Sequence, residues 1–128
     1  MNAEELIRSY LKHFHEGDYE DTGLIYYAED AIFELPGNSY VGRRNIVDHF
    51  VEFHTGLKET MKPVNVLSNG NVVGVEMVSE IDFLEDKPDF NIRPVKRGDS
   101  IKIRICAIYD LRDNKISHAR VYFLGEQG

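Results

Sequence analysis

The side chains best equipped for chemistry are scattered, and their spacing decides what they can do together. His13 and His15 stand two apart in a stretch of helical periodicity, so they face different directions and cannot chelate one ion. His49 and His54 are five apart, also poor chelating spacing, and no histidine pair matches a zinc pattern. No metal site is expected. His49 or His54 could still reach a pocket mouth and act as a base, because imidazole titrates near neutrality. Glu76, Glu80, Lys102, Arg104 and Arg120 offer acid and base groups, but all occupy even positions of alternating segments. That parity points to cross-strand ion pairs of modest value on an outer sheet face. Cys106 lies on the same face beside Ile108, with no sign of an activating group, so it does not read as a nucleophile. Glu34 and Leu35 precede Pro36, and alternation lets only one of the two point inward.

The chain that must position these groups has 128 residues, which suits one domain spanning 1–128. A hydrophobic content of 42%, with seven tyrosines and seven phenylalanines, supplies a core and argues against disorder. The formal charge of −7 weighs against a nucleic-acid surface, which needs clustered Lys and Arg, and against an anionic membrane surface. No apolar run approaches the roughly 18 residues that span a bilayer. The N-terminal MNAEELIRSY is acidic and amphipathic, without the basic and apolar regions of a signal peptide. Cys106 is alone, which excludes an internal disulfide. The expectation is a cytoplasmic protein without a cofactor.

Helices come first and strands afterwards, the order of an α+β fold. Leu6, Tyr10 and Phe14, with Ile7 and Leu11 beside them, predict one apolar helical face over 3–15. Gly17 ends it and Asp18 caps a second helix running to about Tyr27, whose regularity Gly23 weakens. AIFEL at 31–35 alternates as a strand with Ala31, Phe33 and Leu35 on one face, and PGNSYVG follows as a turn-rich connection. A third helix is predicted over about 43–57, burying Ile46, Phe50, Phe53 and Leu57. KPVNVLS and NVVGVEMVSEIDF then form a hairpin about Asn69-Gly70. Odd positions from Val73 to Phe83 and from Ile101 to Tyr109 are mostly apolar, and Ala119, Val121 and Phe123 continue the pattern. A sheet with one apolar face must pack it on something, and the three helices are available. Residues 84–98 make a long link for a hairpin, suited either to a lid over a pocket or to a loop packed on a partner.

YLKHFHEGD at 10–18, YAEDAIFELPG at 27–37, VGRRNIVDHF at 41–50 and NKISHARVYF at 114–123 occur in an order familiar from one family. The chain resembles the nuclear transport factor two-like superfamily, which includes ketosteroid isomerases and SnoaL-like polyketide cyclases. The resemblance implies a cone-shaped fold, with three N-terminal helices on a strongly curved, mainly antiparallel sheet enclosing an apolar pocket. It places Tyr10, Phe14, Tyr27, Phe33, Leu35, Phe50, Ile103, Ile105, Ala107 and Phe123 around that pocket, and implies a homodimer through the outer sheet face. Ketosteroid isomerases pair a tyrosine on the first helix with a base just before the strand proline and a protonated aspartate on a later strand. Tyr10 matches the first tyrosine and Tyr27 a supporting one. Phe50 stands where a third would be, Leu35 at the base and Ala107 at the aspartate. Steroid isomerisation is therefore not expected. Two function classes follow: an isomerase, cyclase or dehydratase acting on a small apolar or aromatic metabolite, or a binding domain that kept the pocket without the chemistry.

Overall fold

The computed structural model describes residues 1–127. Asn2 accepts a hydrogen bond from the Glu5 amide at 2.8 Å and so starts helix α1 (Ala3–Phe14). Asp18 does the same from the Asp21 amide for α2 (Tyr19–Tyr26). Gly23 does not break α2. Its bare Cα packs against Val47, and a Cβ there would collide with the Val47 Cγ2 atom, so close approach of two helices requires the glycine.

Strand β1 (Tyr27–Leu35) begins directly after α2. The segment expected to be only a turn contains a short strand, β2 (Asn38–Val41), antiparallel to β1. Helix α3 (Arg43–Phe53) is shorter than its periodicity suggested. Gly56, at φ +77°, turns the chain out of the helix, and Leu57 becomes the first residue of β3 (Leu57–Asn69). Leu57 is buried, as the helical reading required, but it is buried from a strand. The β3–β4 turn is Gly70-Asn71, one residue later than expected, with Gly70 at φ +62°. It leads into β4 (Val72–Phe83), then β5 (Ser100–Arg112) and β6 (Lys115–Glu126).

The six strands form one open sheet in the order β2-β1-β6-β5-β4-β3, with β1 and β6 the parallel pair. The fold is therefore α+β, three helices on a curved and mostly antiparallel sheet. Odd residues of β4 and β5, from Val73 to Phe83 and from Ile101 to Leu111, are buried against the helices. The even residues of β5 face outward, Cys106 among them. Two polar contacts tie the layers together: the Met61 amide donates to His15 Nε2 at 2.7 Å, and His13 Nδ1 lies 3.0 Å from the Tyr26 hydroxyl. Among the described residues no helix is long and apolar enough to cross a membrane.

The link between β4 and β5 folds back on itself. Lys87 and Val95 exchange two backbone hydrogen bonds, and Val95 is buried. Phe90 packs edge-on against Phe83 at 4.9 Å, and the Arg93 guanidinium grips both oxygens of Glu126. Its inner edge, Asn91 and Ile92, lies at the rim of the cavity described next.

Candidate functional site

The concave sheet face and the helices enclose a cavity of about 290 Å³. Tyr10 and Phe14 of α1 line it together with Phe33 and Leu35 of β1 and Phe50 of α3. Ile103 and Ile105 of β5 form the opposite wall, and Phe123 of β6, 42% exposed, stands at the rim with Pro36 and Asn38. Leu35 faces this space while Glu34 points to the other side, where its Oε2 lies 2.5 Å from His118 Nε2. Tyr27 and Ala107, grouped with the wall in the sequence reading, are fully buried and outside the lining. Both are core residues, Tyr27 because its β1 position precedes the irregularity that swings the strand toward β6.

Polar groups in so apolar a space stand out, and the deepest is Glu59. It is only 7% exposed. Its Oε1 lies 2.8 Å from His54 Nε2, and its Oε2 accepts a short hydrogen bond from the Ser79 hydroxyl. His54 is equally buried, and its Nδ1 sits 2.6 Å from the Phe50 carbonyl oxygen. A carbonyl only accepts, so Nδ1 carries a hydrogen and Nε2 is left to face Glu59. One proton joins Nε2 to Oε1, whether held as an imidazolium–carboxylate or as an imidazole–carboxyl pair. Both ring nitrogens are thereby occupied, and His54 has no nitrogen free for a ligand. Glu59 still has unused lone pairs, because each carboxylate oxygen can accept twice. The arrangement makes Glu59 the proton-transferring group of the cavity, with His54 and Ser79 holding it. Tyr19 stacks on the outer side of His54 at 4.6 Å. Burial, aided by the Glu59 charge, pushes the Tyr19 phenol up to about 12.

Sequence reasoning passed over Glu59 because the stretch was assigned to the end of a helix. The signal was present in LKETM: read as a strand, Leu57, Glu59 and Met61 share one face, and a lone glutamate among inward-facing apolar residues is costly unless paired. Ser79, a polar residue in the apolar series of β4, is the matching partner.

Tyr10 is fully engaged. Its hydroxyl lies 2.6 Å from that of Tyr27, inside the core. Burial, followed by the neighbouring Tyr27 and Tyr109, holds the Tyr10 phenol well above its usual range. Tyr10→Phe is therefore expected to lower unfolding free energy by about 1–3 kcal/mol by leaving the Tyr27 hydroxyl unpaired. Ligand uptake in the cavity should stay unchanged. Chemical denaturation and ligand titration on the one variant check both, and lost affinity at constant stability would mean the hydroxyl serves the ligand.

At the rim, His49 stacks on Tyr40 with ring centroids 4.2 Å apart. Burial, then the nearby His54, pulls the His49 imidazole below its ordinary value, so it is neutral at neutral pH. The Asn38 amide donates to the Tyr40 hydroxyl at 2.9 Å and steadies the stack. Among the described residues no cluster of three or more His, Cys, Asp or Glu side chains is arranged to hold a metal ion.

A cone of three helices on a curved open sheet, with a lined cavity inside, defines an α+β fold of the NTF2-like class. Residues 7–119 match the SnoaL-like domain family, and the chain belongs to it. Among solved structures it is similar to a candidate polyketide cyclase of Xanthomonas campestris, at 23% identity and a TM-score of 0.83 over 95% of this chain and 90% of that one. An NTF2-like protein of Anabaena variabilis is 21% identical, with a TM-score of 0.77 over 97% and 90%. An LEH-like epoxide hydrolase of M. tuberculosis is 16% identical, with a TM-score of 0.76 over 95% and 82%. At these identities the likeness is one of fold. Comparison with curated proteins gives no match.

Proposed function

We propose that this SnoaL-like domain binds a small apolar or aromatic molecule in its cavity and moves a proton on it, an isomerase-, cyclase- or dehydratase-type step. The observation that carries the reading is Glu59, a carboxylate held by two side chains in a wall otherwise built from aromatic and aliphatic groups. Pairing a buried acid with a histidine gives the site one transferable proton, the minimum a general acid–base step needs. The cyclase and hydrolase designations of proteins that share the fold support the same class of chemistry. The volume sets the ligand's size. A dry cavity of roughly 150 Å³ takes a benzene ring, so about 290 Å³ suits a two-ring molecule.

A second reading has its own support. Both Glu59 oxygens are already bonded, as they would be in a buried pair with a purely structural task. On that reading the domain binds its ligand and leaves it unchanged. Exchange of solvent deuterium into a bound carbon acid separates the two. Catalysed exchange into β-tetralone, a two-ring ketone, is expected, whereas uptake of the compound without exchange would favour the binding domain.

A homodimer through the outer sheet face and a cytoplasmic setting complete the proposal. Val78, Cys106, Ile108 and Tyr122 give that face an apolar centre, with Glu76, Arg104 and Arg120 around it. Sedimentation is expected to give twice the chain mass of 14.8 kDa, and a species that stays at the chain mass at micromolar concentration would count against the dimer.

A further inference from the structure

Tyr109 is a phenol with nothing to bond. It is 3% exposed and lines the cavity, yet its hydroxyl has no hydrogen-bond partner among the described residues. No enclosed side-chain polar atom in the described structure lacks a partner, so this hydroxyl is not sealed in the core. The small area it shows must open on the cavity. Buried hydroxyls are seldom left without a partner, and one that is points to a missing acceptor. The other deep phenols are spoken for: Tyr10 and Tyr27 bond each other, and Tyr26 bonds Ser9.

The backbone holds Tyr109 firmly. It lies in β5 between Val73 of β4 and Ala119 of β6, both fully buried and too small to crowd the ring. Its ring also meets the Tyr10 ring edge-on at 5.7 Å. A donor fixed on a central strand is preorganised for a ligand, with little reorganisation left when one arrives.

We propose that Tyr109 is a catalytic hydrogen-bond donor that holds the carbonyl oxygen of the ligand, making the substrate class of this site a two-ring-sized enolisable carbonyl compound. The inference rests on the proton-transfer reading of the same cavity. The Glu59 carboxylate takes a proton from a carbon activated by the carbonyl. The C–H electron pair becomes the new C=C bond, and the carbonyl π pair moves onto oxygen, where the Tyr109 O–H stabilises it. Return of the proton from the Glu59 carboxyl to carbon closes the cycle. No oxidant, reductant or cofactor enters. Burial, then the Glu59 and Cys106 charges, push the Tyr109 phenol up, so it keeps its proton at neutral pH and donates rather than ionises.

The test compares β-tetralone with tetralin, the hydrocarbon of the same skeleton, on the full chain. Wild type should bind the ketone more tightly than the hydrocarbon. Tyr109→Phe, which removes only the oxygen, should weaken ketone binding about tenfold, leave tetralin binding and melting temperature unchanged, and slow deuterium exchange about a hundredfold. Glu59→Gln should instead stop exchange while keeping the preference for the ketone. Equal binding of ketone and hydrocarbon by wild type, or equal losses for both in Tyr109→Phe, would overturn the role of Tyr109 while leaving the cavity reading in place. Failure of wild type to take up either compound would overturn the cavity reading, and this inference with it. A lowered melting temperature with intact ketone affinity would make Tyr109 a core tyrosine and overturn the proposal as well.

Discussion

Glu59→Gln is expected to slow deuterium exchange into β-tetralone by about 100- to 10,000-fold, the range general acid–base groups supply. The substitution is nearly isosteric and spares the local bonds. The glutamine carbonyl can still accept from the Ser79 hydroxyl, and its amide can donate to His54 Nε2, whose ring is oriented by the Phe50 carbonyl. Only the ability to take and return a proton is lost. Affinity for the ketone should stay within about twofold of wild type, a change worth less than 1 kcal/mol. Exchange at the wild-type rate in the variant would show that another group carries the proton. His49, neutral and at the rim, would be the next residue to examine.

Phe50→Ala is expected to give the largest loss of stability of any single truncation in the site. The Phe50 ring is buried at the point where the three helices meet β1. It packs edge-on against Phe14 and Phe33, each at 5.2 Å, and lies 6.0 Å from both Tyr27 and Tyr19. Truncating a buried phenylalanine costs about 3–5 kcal/mol, from lost transfer energy and the cavity left behind. For a chain of this size each kcal/mol lowers the melting temperature by roughly 2–8 °C, so a fall of about 10 °C or more is expected in calorimetry. The ligand space would also widen, since Phe50 is part of its wall. A loss below about 1 kcal/mol would mean that the neighbouring rings collapse into the gap.

The two sites differ in how far their sequence announces them. Parity alone separated the inner face of β4 and β5 from the outer, because a strand buried on one side repeats every second residue and the charges of Glu76, Lys102 and Arg104 mark the other side. The capping residues Asn2 and Asp18 and the breaker Gly17 framed α1 and α2 for equally local reasons. Glu59 was hidden by a boundary. Ile46, Phe50 and Phe53 set a helical period that Leu57 continues by coincidence, and only the positive φ of Gly56 reveals the change from helix to strand. Strand β2 was obscured by its own brevity, four residues at a sheet edge inside a stretch rich in turn formers. The partners of Glu59 lie five and 20 residues away on different elements, and the empty bonding site of Tyr109 is a property of three dimensions. No spacing rule encodes either. The resemblance directed attention to Tyr10 and Tyr27, which turn out to bond each other.

The central claim is that a small carbonyl compound occupies the cavity beside Glu59, and backbone amide shifts during titration of the isotope-labelled protein with β-tetralone test it most directly. The account predicts saturable shifts concentrated at Phe33, Phe50, Glu59, Ile105 and Tyr109, with the outer-face residues Glu76, Arg104 and Tyr122 unmoved. Shifts centred on the outer face, or no saturable shifts at the cavity residues, would contradict it.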